Sequence, residues 1–219
     1  SNEAAMKYVI NGSIATAITL FGMSYLYGLT GSTNLKEMGS IMDQLLNGQF
    51  QYLFGIAFFM MLVGFSFKIA SAPFHMWAPD VYQGAPTPVT AFLSVVSKTA
   101  GFIIILRMII FLYVEAPGDA VGAFDFMGIN NIYIAFLAGV TMIVGNVVAL
   151  RQSNMKRMLA YSSIAHAGYL LVSIATLGYF TSSIIWLYLV AYMLMNLGAF
   201  AVIQYMQEKT GSTEIDRKS

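Results

Sequence analysis

An all-α fold of a polytopic membrane protein, with about six transmembrane helices of which one is broken, is what this 219-residue sequence predicts from three observations. Hydrophobic residues make up 58% of the chain and charged residues 10%, with a mean hydropathy of +0.71, too little polar surface to cover a globule in water. The apolar runs are about 20 residues long, the length a helix rising about 1.5 Å per residue needs to cross a hydrocarbon core of about 30 Å. Basic residues outside those runs gather on one side of the alternating pattern, as the positive-inside rule requires of a multi-pass chain.

The first span covers about residues 8–28. The second covers about 50–83 and is expected to break near 69–74: its apolar run reaches Phe67, meets Lys68, and resumes after Pro73. Pro73 cannot donate an amide hydrogen bond and biases the residue before it away from helix. Backbone groups freed by such a break must face protein or water rather than lipid. The alternative is a helix that ends near residue 70, followed by a re-entrant loop. Four further spans lie at about 89–114, 132–150, 163–180 and 182–206, with Gly and Asp or Asn clusters at the breaks. The whole of 1–219 reads as a single membrane domain. Its start without Met and its polar last residues read as a piece of a longer chain.

Lys7, Arg151, Lys156, Arg157, Lys209, Arg217 and Lys218 fall on one side of this arrangement. The other side holds Lys36 and the acidic Glu115, Asp119 and Asp125. Both ends of the chain are therefore expected on the cytoplasmic side. Cysteine is absent, which excludes disulfides, thiolate-held iron–sulfur clusters and cysteine nucleophiles. Neither a metal site nor nucleic-acid binding finds support.

The remaining basic residues, Lys68, Lys98 and Arg107, lie within spans, and intramembrane charges are functional candidates by default. Lys98 is nine residues into its span, about 13 Å from the cytoplasmic end and too deep to snorkel easily. Lys68 sits at the break, while Arg107 is near enough to the outer end to reach the interface. An ammonium that loses its hydration holds its proton less tightly, so a buried lysine can exchange protons where a guanidinium cannot. Lys68 and Lys98 are thus candidates for a proton relay, or else permanent cations paired to an acid. All ten Asp and Glu residues fall in loops or near span ends, so such an acid would come from another segment or subunit.

His75 and His166 could exchange protons at ambient pH as further relay groups, or serve structurally; no motif supports a haem or metal held by the pair. Glu3 and Lys7 are four apart in the favourable order for a helix ion pair, and are weaker candidates. Asn146 beside Gly145 and Asn196 near Gly198 read as interhelical contacts. The fifteen methionines read as packing residues.

The run FKIASAPFHMWAPDVYQGAPTPV at residues 67–89 resembles the signature of the N-subunit family of proton-translocating NADH:quinone oxidoreductase, respiratory complex I. So do Ser97-Lys98, NEAAMKY at 2–8 and QSNMKRMLAYSSIAH at 152–166, in order along nearly the whole chain. Ala78 departs from a frequent Thr of the family. The resemblance implies an antiporter-like fold of inverted five-helix repeats, each with a broken helix, and no redox cofactor in this chain. Lys68 would be the central lysine of the first repeat, and Lys98 the one that passes protons onward. Glu3 and Lys7 would open the helix after the one bearing the family's membrane glutamate, which would lie upstream of Ser1. The second repeat's broken helix would lie beyond Ser219. The implied partners are other membrane-arm subunits and the lipid bilayer, with quinone and NADH, or another donor, used by the assembled complex in a bacterial cell (inner) membrane. Two alternatives stand beside it: a subunit of a secondary cation/proton antiporter, and a membrane scaffold with structurally paired lysines.

Overall fold

The computed structural model describes residues 2–46, 50–110, 121–176 and 180–215. Six helices there are long and apolar enough to cross a membrane: Asn2–Thr30, Tyr52–Ile69, Thr87–Ile109, Asn131–Ala149, Met155–Thr176 and Thr181–Thr210. In chain order the helices are α1 (Asn2–Thr30), α2 (Leu35–Leu46), α3 (Gln51–Ile69), α4 (Trp77–Gly84), α5 (Thr87–Phe92), α6 (Lys98–Ile109), α7 (Val121–Ala149), α8 (Met155–Thr176) and α9 (Thr181–Thr210). Between α5 and α6 the third crossing passes through a π-helical turn, Leu93–Ser97.

Several elements are longer than hydropathy suggests, because helices outrun the hydrocarbon and end in polar turns. α1 begins at Asn2 rather than near residue 8, which puts Glu3 and Lys7 in its first turns. α7 begins at Val121, so Asp125 is helical instead of lying in a loop. α8 begins at Met155, eight residues before the expected 163, because Asn154 caps it: its Oδ1 accepts the amides of Lys156 (3.0 Å) and Arg157 (3.3 Å). α9 runs to Thr210 and closes on Gly211, whose left-handed φ of 68° suits a residue without Cβ. The short amphipathic α2, where no element is expected, buries Met38. The expected span ends at 111–114 and 177–179 lie outside the described residues.

The expected interruption is present and slightly longer, from Ala70 to Met76, with α4 opening at Trp77. Ala70 terminates α3 in the left-handed region (φ 57°, ψ 42°), a conformation that costs a residue with Cβ about 1–2 kcal/mol. Local bonds hold it there: the Ala70 amide donates to Phe67 O at 3.1 Å and the Ser71 amide to Ser66 O at 2.9 Å. The Trp77 indole N–H donates to the same Phe67 carbonyl at 3.0 Å, and the Ala72 amide donates to Thr141 Oγ1 of α7 at 3.1 Å. The Ala72–Pro73 peptide is cis.

The most extensive helix contacts are those of α7 with α8 and α1 with α3. Small residues allow them. A Cβ on Gly145 would meet the Ala165 backbone at 2.5 Å, and one on Gly168 would meet the Met142 amide at 2.9 Å. One apolar core joins α3, α6, α7, α8 and α9 through residues such as Phe54, Phe102, Ile134, Leu170 and Ile185. A second surrounds the break, where Phe67, Trp77 and Tyr82 pack with Ile164 and Phe200.

Candidate functional site

Lys98 opens α6 immediately after the π-helical turn, which adds one residue to a helical turn and so rotates the helix beyond it by about 100°. That turn therefore sets the direction in which Lys98 leaves its helix. The residue is only 3% exposed. Its ammonium donates to the Ser163 backbone oxygen and, at 2.5 Å, to Ser163 Oγ on α8. The Tyr192 hydroxyl of α9 donates to the same Oγ at 2.7 Å, and its ring lies 5.5 Å from Lys98 Nζ. The buried Tyr82 of α4 also interacts with the Ser163 side chain. Among the described residues no carboxylate pairs with Lys98; the ammonium is held by neutral dipoles and an aromatic face.

One turn beyond Ser163, His166 Nδ1 shares a 2.5 Å hydrogen bond with the Tyr188 hydroxyl. Its ring meets those of Tyr192 at 5.2 Å and Tyr169 at 5.5 Å. Tyr192 therefore touches both Lys98 and His166. Lys98, Ser163, Tyr192, His166 and Tyr188 form one polar group inside an apolar bundle, contributed by α6, α8 and α9.

The other candidates lie apart from this group. Lys68 ends α3 between the buried Phe67 and Ile69, yet its own side chain is exposed and makes no hydrogen bond or ion pair among the described residues. α6 passes close by, with Gly101 next to Ile69 and Lys68. His75 lies in the connector, its Nδ1 buried without a hydrogen-bond partner among the described residues and its ring edge-on to Tyr161 at 6.5 Å. It makes no ring contact with His166. No group of three or more His, Asp or Glu among the described residues is placed to hold a metal ion.

Glu3 and Lys7 form the expected pair at 2.7 Å, but Lys7 reaches further, to Asp80 Oδ2 at 2.6 Å. Arg157 takes the other oxygen, Oδ1, at 2.5 Å, and also donates to Gln83 Oε1 at 3.1 Å. This cluster ties α4 to α1 and α8. Burial pushes the Asp80 carboxyl up, but the hydrogen bonds from Lys7 and Arg157 outweigh it and hold the group below the usual carboxylate range. Lys156, buried in the first turn of α8, donates to Ala85 O at 3.0 Å and satisfies a carbonyl at the C-terminal end of α4. Both Lys156 and Arg157 are thus helix residues with partners rather than free loop charges.

Sequence reasoning left Asp80, Arg157, Tyr188 and Tyr192 out of the site. A signal for part of this was present: Tyr188, Tyr192 and Asn196 recur every four residues along an otherwise apolar helix, one polar stripe on one face. Asn146 makes the interhelical contact expected of it, donating to the Tyr169 hydroxyl at 2.9 Å. Asn196 instead bonds within its own helix, to Tyr192 O at 2.9 Å, and steadies that tyrosine.

The chain matches, over residues 1–219, the family model described as NADH:quinone oxidoreductase/Mrp antiporter, TM. It is 59% identical over 215 residues to an NADH-quinone oxidoreductase subunit N from Geobacillus sp. (strain WCH70), an alignment covering 98% of this chain and 44% of that protein. The chain spans less than half the length of the curated relatives it matches. Among solved structures it is similar to a chain of respiratory complex I from Thermus thermophilus with bound Aureothin. The TM-score is 0.70 at 37% identity, covering 92% of this chain and 40% of that one. It is also similar to a chain of the membrane-bound sulfane sulfur reductase, an archaeal respiratory membrane complex, with a TM-score of 0.82 at 27% identity, covering 98% and 41%.

Proposed function

Since the chain belongs to the NADH:quinone oxidoreductase/Mrp antiporter membrane family, matched over residues 1–219, we propose that it works in proton translocation within the membrane arm of an NADH:quinone oxidoreductase of the complex I type. In this reading Lys68 and Lys98 gain and lose protons, with His166, Tyr188 and Tyr192 extending the path from Lys98. His75 is a further relay candidate beside Lys68. Glu3 and Lys7 act through the Asp80 cluster, which holds α4, rather than as proton carriers.

One observation carries the reading: Lys98 is buried, hydrogen-bonded to Ser163, and unpaired with any described carboxylate. A buried lysine paired to an acid would strand a buried anion on losing its proton. A lysine held by a serine and a tyrosine can give up its proton without leaving an uncompensated charge behind. The same serine and tyrosine lead on to His166.

Electron transfer, with NADH or another donor and quinone, belongs to other parts of the assembly. The chain would sit in a bacterial cell membrane with both ends cytoplasmic, next to other membrane-arm subunits. Purification of the parent protein from native membranes tests the assignment: it should travel with a quinone-reducing assembly. A preparation that exchanges cations for protons without any such assembly would identify an antiporter instead; the 59% identity to a subunit N favours the redox-linked reading.

A further inference from the structure

We infer that Thr141 is a positioning residue for Lys68, acting through the interrupted helix. Thr141 lies on α7, is fully buried, and has both of its hydroxyl functions committed. Its O–H donates to Leu137 O at 2.6 Å within α7, which turns a lone pair of Oγ1 toward the connector. That lone pair accepts the amide of Ala72 at 3.1 Å, across 69 residues of sequence.

The Ala72 amide is four residues from Lys68 and belongs to neither half of the broken helix. Ala70 and Ser71 find acceptors at the end of α3, and Trp77 returns to Phe67 O. Among the described residues, Thr141 is the one side chain from another helix that bonds the backbone of the connector. Ala72 is only 2% exposed, so water cannot replace the acceptor without opening the packing. An amide without an acceptor at this depth would move to find one, and the connector would move with it.

The same stretch of α7 is locked onto α8. Gly145, one turn beyond Thr141, lies against the backbone of Ala165, which sits between Ser163 and His166 on α8. Thr141 therefore pins the segment beside Lys68 to the helix pair that carries Ser163, the hydrogen-bond partner of Lys98. The distance and orientation between the two lysine sites depend on this bond.

The inference rests on the reading that Lys68 takes part in proton transfer, so Lys68→Ala is measured alongside. The full-length subunit in its assembled complex is prepared with Thr141→Val, which keeps the shape and loses the acceptor, and Thr141→Ser, which keeps the acceptor and loses the methyl. Three readouts are taken: coupled proton translocation, its pH profile, and amide hydrogen exchange of the peptide covering residues 70–76. Thr141→Val should speed exchange in that peptide roughly tenfold, lower proton translocation several-fold and displace its pH profile, while Thr141→Ser stays near wild type in all three. Wild-type translocation and exchange in Thr141→Val would overturn the inference. So would equal losses in both variants, which would assign the effect to the methyl group. If Thr141→Val does not assemble, Thr141→Ala, which also lacks the acceptor, is judged by the same comparison. Normal translocation in Lys68→Ala would instead defeat the underlying reading, and with it the functional half of the inference.

Discussion

Asp80→Asn should loosen α4 from two neighbours at once. The carboxylate divides its oxygens, Oδ2 to Lys7 at 2.6 Å and Oδ1 to Arg157 at 2.5 Å. The side chains of Lys7, Asp80 and Arg157 are 44%, 26% and 28% exposed, so solvent screens both pairs. A screened ion pair contributes about 0.2–1 kcal/mol, and two sharing one carboxylate place the loss at about 0.4–2 kcal/mol. Lys7→Ala removes the more exposed pair and should cost the least of the series. Arg157→Ala should cost about 1 kcal/mol or slightly more, because it also gives up Gln83 and the 3.2 Å bond from its Nε to Gln152. Since the two cations share one partner, the double variant Lys7→Ala with Arg157→Ala should exceed Asp80→Asn only by the Gln83 and Gln152 bonds of Arg157. Thermal denaturation of the assembled complex, followed by release of this subunit, measures the series. The sign with pH is also set: a carboxyl held below its usual range stabilises the fold above the unfolded value, about 4, and that contribution is lost as pH falls through the folded value. The gap between wild type and Asp80→Asn should therefore be steady from neutral pH to about 5 and close below about 4. No gap at neutral pH, or one that widens on acidification, would refute the reasoning.

Gly145→Leu should prevent close approach of α7 and α8, since even a Cβ at Gly145 would lie 2.5 Å from Ala165; immunoblotting of membranes should show strongly reduced subunit content. Tyr192→Phe keeps the ring beside Lys98 but deletes the donor to Ser163; proton translocation should fall several-fold with subunit content unchanged, as measured by proton uptake in membrane vesicles. Reporter fusions after Asp125 and after Arg157 should report opposite sides of the membrane, the second cytoplasmic.

Hydropathy and span length made the membrane fold legible, and Pro73 next to an intramembrane lysine made the broken helix legible. Helix ends were less so. The polar turns of α7 and α8 look like loop in composition, and only the Asn154 cap shows that Lys156 and Arg157 are helical. In the site, Lys98 and His166 stood out because charge and imidazole are rare in lipid. Ser163 and Tyr192 did not, because hydroxyls are common in spans and their role depends on which helices face one another. Lys68 illustrates the opposite limit. Its depth could be read from the sequence, but the face of α3 from which it projects is set by how α1, α4 and α6 pack around that helix. The π-helical turn before Lys98 left no mark in the apolar run that contains it.

The central claim is that Lys98 cycles its proton instead of serving as a fixed cation. Lys98→Ala and Lys98→Arg in the full-length assembled enzyme decide it, with proton uptake and quinone reductase rates measured in membranes and subunit content checked by blotting. Arginine keeps the charge but does not release a proton at these pH values. The account predicts that both variants assemble and both lose most proton translocation; near-normal translocation in Lys98→Arg would contradict it and leave Lys98 a structural cation.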